Sequence, residues 1–320
     1  MVLDTGRDDQ VWAVAFHPDG KHVFGGDEAG IQQWRLADGR EVGQQTGMKL
    51  RAIAVSSDRK WIVCGARDGA SVWDGEMHEK GVEVEGGNMV FAVDVSQDSS
   101  RFATGTTEKE AGIWSITSGE RLAGPLTHDD YVTGVRFSRN GERLATACMQ
   151  NSVHIFDSHT GDSLVTIEIN IPSLVGTPLA WSSDAQQIFA ACKDNKIRSF
   201  DTSTGSQIAE SQTLPGDDNI DVHSVALAAN NKFIATFANH SISFLDSSTL
   251  TRIGPVIEDG EQIRSIDISP DSSRLATGRL DGKIVIRDLN MIILMDSYSP
   301  FHVSNCAFVN LRVVLSNKTT

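Results

Sequence analysis

One short apolar strand, ending in an aromatic or bulky residue and often followed by Asp, recurs seven times in this chain of 320 residues. Its copies read IQQWRL, ASVWDG, AGIWSI, VHIFDS, IRSFDT, ISFLDS and IVIRDL. They align Trp34, Trp73, Trp114, Phe156, Phe200, Leu245 and Arg287 in one column, with Asp74, Asp157, Asp201, Asp246 and Asp288 next to it in five copies. Successive column residues are 39, 41, 42, 44, 45 and 42 positions apart. A period of this length means that one supersecondary unit is built repeatedly and buries its apolar faces only by stacking on its neighbours.

The rest of each unit is equally regular. An apolar strand runs into a polar turn, as in VWAVAFHPDG, YVTGVRFSRNG and IRSIDISPDSS, and a second strand follows, as in RFATG, RLATA and RLATG. Each unit therefore reads strand, tight turn, strand, loop, strand, turn, strand, with Asp, Ser, Asn and Gly supplying the turns. No useful window carries a helical period. Hydrophobic residues make up 40% of the chain, enough to fill a large core. The expected fold class is all-β.

The column with its Trp73-Asp74 pair, together with the HPDG, SRNG and SPDSSRLATGRLDG segments, resembles the WD40-repeat family over about residues 10 to 297. The resemblance implies a seven-bladed β-propeller of four-stranded antiparallel blades, with an irregular C-terminal half-repeat. By function it implies a non-enzymatic scaffold or adaptor that offers its loop faces to other proteins. Residues 1–297 are assigned to the propeller and 298–320 to a partial repeat or closing segment. Two segments compete to complete the last blade: Val2 and Leu3 at the start, or MIILMDS from Met291 to Ser297. The family often carries a Gly-His pair whose His joins a buried network with Ser or Thr, the Trp and a turn Asp. That pair is absent here, and only His128, with Thr146, offers a candidate. Stability is expected to rest more on apolar packing than on such networks.

Catalytic signals are missing. There is no G-x-S-x-G, no phosphate-binding or dinucleotide fingerprint and no H-x-x-H spacing, and the histidines are scattered singly. Neither metal nor cofactor is expected. The rival readings are a propeller enzyme with a metal or small-molecule site at the central channel, and the sensor portion of a larger protein. Cys64, Cys148 and Cys192 share one repeat position at the end of an apolar strand and read as small core residues. Widely spaced thiols and an N-terminus without a signal-peptide pattern fit an intracellular protein, cytoplasmic or nuclear and not secreted. No apolar run is long enough to span a membrane.

Acidic residues number 42 against 28 basic, a net charge of -14. Nucleic acid is a poor partner for that balance, because phosphate backbones are bound by clustered Lys and Arg. In a propeller, the loops leading into the blades and those between second and third strands share one face. The repeat register puts twenty acids and six bases there. Asp8, Asp9, Asp129, Asp130, Asp217, Asp218, Asp259 and Glu261 are the candidate contacts for a protein or peptide partner with a basic segment. Trp12 and Phe91, at first strands, are candidates for holding an Arg or Lys side chain, with core packing as the alternative. A monomeric domain within a complex is expected.

Overall fold

In the computed structural model, residues 1–6, 9–43, 47–75, 79–149, 152–171, 177–215 and 222–290 are described. They form seven antiparallel sheets in a ring, a seven-bladed β-propeller. The first strands of successive blades touch one another around the whole circle, Ala13–Phe16 of blade 1 meeting Ile263–Ile268 of blade 7. The later strands of each blade lie progressively outward.

Burial follows that radial order. Second strands are sandwiched between neighbouring blades and read BBBBBB or nearly so, as in Arg101–Thr106 and Phe233–Ala238. Outer strands such as Ser163–Glu168 are mostly exposed. The tight approach of blade on blade explains why second strands are written in Ala, Gly, Thr and Cys. Cys64, Cys148 and Cys192 are buried free thiols there, and burial pushes Cys64 up to about 12 and Cys192 up to about 11, so both stay protonated. Seven apolar clusters fill the ring, one at each junction between adjacent blades.

All seven column residues fall at one register position. Each pairs with an apolar residue of the second strand, from Val23 with Trp34 to Leu275 with Arg287. The Asp after the column caps the next turn: Asp157, Asp201 and Asp246 each accept two backbone N–H groups. With two hydroxyls added from Ser203 and Thr204, Asp201 is held down at about 2. These aspartates are turn anchors.

The ring closes through the N-terminal strand. Val2–Asp4 pairs antiparallel with Lys283–Asp288, Leu3 opposite Ile284, and completes blade 7. Of the two candidates for this outer position, Val2 and Leu3 take it. Residues 291–297, the half-repeat and the boundary at 297/298 lie outside the described residues. Among the described residues, the outer edge of blade 1 pairs through a single bridge between Trp34 and Glu41.

Candidate functional site

The loops leading into each blade and the turns between second and third strands make one face, called the upper face below. Asp129 and Glu261 are exposed on it. Asp130 and Asp9 are half-buried, each accepting a hydrogen bond from the next residue's N–H at 2.8 Å. Among the described residues no cation forms an ion pair with Asp9, Asp68, Glu108, Asp129, Asp130 or Glu261. Asp8, Asp217 and Asp218 lie outside the described residues.

The other acids of this face are largely matched. Arg51 donates to Glu28 at 2.8 Å and, despite some desolvation, holds its carboxyl below the usual range. Arg121 reaches Glu85 at 2.9 Å, Arg198 holds Asp194, and Arg279 reaches Asp281 at 2.9 Å. The simple tally of loop charges therefore overstated the acidity of the face. Arg51 and Arg198, which lie on strands, and Arg121 were not among the six bases set against it, yet their long side chains reach these loops.

Asp259 is a larger correction. Its side chain is fully buried, accepts from the Thr277 hydroxyl at 3.0 Å and is bound by Arg287, with Arg279 at 3.6 Å. It belongs to the core of blade 7 and offers nothing to a partner. Arg287 occupies the Trp column and also donates to Thr277 Oγ1 at 3.0 Å. In blade 4 the same positions hold His128, Thr146 and Phe156: His128 Nε2 meets Thr146 Oγ1 at 2.7 Å, and its ring packs edge-on to His154 and Phe156. The spacing is 18 residues in both blades. An acid thus replaces His where an arginine replaces the aromatic, and Arg287 in an aromatic column was the signal that should have located Asp259.

Burial, reinforced by His154, pushes His128 down to about 4. The unfolded imidazole titrates near 6.5, so below that pH the unfolded chain takes up the proton first and stability falls as pH drops toward 4. Asp267, pushed up to about 6 by burial, works in the opposite direction over much of this range. The readout is therefore a difference. Between pH 7 and 4.5, His128→Gln should lose less stability in urea unfolding than the parent, by on the order of 2 kcal/mol. Parallel pH profiles would show that His128 is not the titrating group.

At the centre of the upper face, Trp12 is stacked by its own chain. The Arg51 guanidinium lies 4.1 Å and that of Arg264 5.3 Å from the ring centre, and Arg264 donates to Gln10 at 3.0 Å. Trp12 is thus already occupied by cations from within, and Phe91 pairs with Tyr131 at 6.3 Å. Behind them lies a cavity of about 220 Å³ lined by Trp12, Arg51, Phe91, Thr133 and Ser265. Deeper in the channel, Asp94 accepts from Arg136 at 3.0 Å and Asp267 accepts the Phe16 N–H at 2.7 Å. Burial pushes Asp94 up, against Arg136 and the Phe137 amide. These two carboxylates are engaged by the protein itself, and among the described residues no histidine lines the cavity. The upper face is thus cationic and aromatic at its centre with unpaired acids around it. On the opposite face His17 and His22, isolated in sequence, flank one carboxylate, Asp19, at 3.0 and 2.7 Å.

The family model described as "WD domain, G-beta repeat" matches residues 2–35, 121–157 and 252–288. The chain is similar to the nuclear distribution protein nudF of Aspergillus niger, 25% identical over 50% of this chain and 42% of that protein. It is also similar to WD repeat-containing protein 1 of Rattus norvegicus, 26% identical over 49% of this chain and 28% of that protein. A third relative, the U3 small nucleolar RNA-associated protein 15 homolog of Xenopus laevis, is 27% identical over 26% of this chain and 16% of that protein. The chain matches less than half the length of each. No helix among the described residues is long and apolar enough to cross a membrane. Matched repeats in blades 1, 4 and 7, all in the register of the seven-membered column, place WD40 repeats at three positions of this seven-bladed β-propeller and support the WD40-repeat family for it.

Proposed function

We propose that this propeller is a non-enzymatic scaffold that docks a protein or peptide partner on its upper face, a basic segment lying along the acids around the channel mouth. A rigid ring presenting loops is suited to interaction, and WD40 propellers as a family serve that role. The observation that carries the finer reading is the contrast on the face itself. Glu28, Glu85, Asp194 and Asp281 are neutralised by arginines, while Asp9, Asp68, Glu108, Asp129, Asp130 and Glu261 keep their charge unpaired among the described residues. Unpaired charge of one sign steers a partner of the other. The cationic centre keeps the basic segment off the mouth and on the surrounding loops. The net charge of -14 favours protein over nucleic acid as partner. An intracellular setting suits the buried free thiols.

The test is capture from a native extract by the intact chain and by a variant with Asp9→Asn, Asp129→Asn, Asp130→Asn and Glu261→Gln. Partners of the intact chain should dissociate as salt rises from about 0.05 to about 0.3 M. The variant should capture them at least about tenfold less well, within the range of electrostatic steering. Equal, salt-insensitive capture by both proteins would remove the acidic rim as the docking surface.

A further inference from the structure

The repeats provide an internal comparison for the turn between first and second strands on the lower face. In blades 2, 3, 5 and 7 a Ser hydroxyl donates to an Asp two residues on: Ser56 to Asp58, Ser96 to Asp98, Ser182 to Asp184 and Ser269 to Asp271, at 2.6–2.7 Å. Blade 4 does the same with Ser138 and Asn140. Blade 1 alone has His at the serine position, His17, and a second His at the start of the next strand, His22, where blades 3, 4 and 7 have Arg. Within the turn Asp19 Oδ1 accepts the Lys21 N–H at 2.7 Å and the His22 N–H at 3.2 Å, and His17 Nδ1 accepts the Asp19 N–H at 3.2 Å.

The two departures converge on one point. His17 Nδ1 lies 3.0 Å from Asp19 Oδ1, and His22 Nδ1 lies 2.7 Å from Asp19 Oδ2. One donor atom from each of the three residues falls within 4.8 Å of the other two. Around a tetrahedral ion with metal–ligand bonds near 2.0–2.1 Å, donors sit about 3.3 Å apart, so a small outward adjustment of the imidazoles would admit one. His17 is buried and its ring packs edge-on to Phe24, which limits its orientations.

We propose that His17, Asp19 and His22 form a site for a divalent transition-metal ion of the zinc class on the lower face of blade 1. The imidazole nitrogens and the Asp19 carboxylate are the ligands, and the fourth position is left to solvent or a partner's side chain. A bound ion would tie the turn to the start of the second strand. This reading is independent of the acidic rim on the other face.

The experiment is a zinc titration of the full chain, by calorimetry and by competition with a chromophoric chelator. The variants are His17→Ser and His22→Arg, each restoring the residue other blades carry and thus expected to fold. The intact chain should bind one zinc ion that both variants lose or bind at least about tenfold more weakly, and zinc should raise the melting temperature of the intact chain alone. Cobalt(II) should give the intense visible bands of a tetrahedral site, absent from both variants. Zinc affinity unchanged in either variant would overturn the site and leave a hydrogen-bonded turn.

Discussion

Asp259→Ala should cost roughly 3–5 kcal/mol of folding stability, the range for breaking a buried ion pair from one side. The carboxylate is fully buried, and its removal strands the Arg287 guanidinium, whose side chain is only 12% exposed, at the junction between strands of blade 7. Thr277 keeps only its bond from Arg287. Urea unfolding should show a lower midpoint with an unchanged slope, since the surface exposed on unfolding hardly alters. The same positions in blade 4 hold His and an aromatic. Asp259→His combined with Arg287→Trp should therefore recover most of the loss, although each change alone is destabilising. A double variant no more stable than the singles would mean that the two residues do not act as one unit. A loss under about 1 kcal/mol in Asp259→Ala would place Asp259 at the surface after all.

Leu3→Ala should be the next most damaging substitution, at about 2–4 kcal/mol. Leu3 is 3% exposed and packs in the cluster that joins blades 7 and 1, with Val11, Trp34, Ile284 and Ile286. It sits in the three-residue strand whose pairing with Lys283–Asp288 closes the ring, so the truncation loosens a closure as well as opening a cavity. Val2→Ala, one position away but 59% exposed, should change stability by no more than about 0.5 kcal/mol. Hydrogen exchange would separate the effects: in Leu3→Ala the amides of the strand Lys283–Asp288 should exchange faster, while those of blade 4 keep their protection. Uniform acceleration in all blades would show that closure and ring unfold as one unit.

Much of the fold is legible in the residues because each blade solves the same packing problem with the same local chemistry. Second strands lie between two blades and so are continuously apolar and small, as in the stretch that contains Cys148. Turn positions need Asp, Ser or Gly for backbone reasons. The closing strand carried no such signal. VLD is too short for an alternating pattern, and nothing local distinguishes it from MIILMDS as a candidate for the same edge. The site was less legible still. Asp259 and Glu261 are two residues apart in one loop with the same sequence character, but one is buried against an arginine 28 positions away and the other is exposed.

Sequence alone determined the all-β class, the number of blades, the register of the column and the resemblance to the WD40-repeat family, because these depend on hydrophobic period and turn chemistry within each 40-odd-residue unit. Only the tertiary structure decided which strand closes the ring, which acids keep their charge, and that His17 and His22 meet at Asp19. Those outcomes depend on where long side chains and distant strands arrive in space. Electrostatic pairing acts over a few ångströms whatever the separation along the chain, and a pattern read along the chain does not carry that distance.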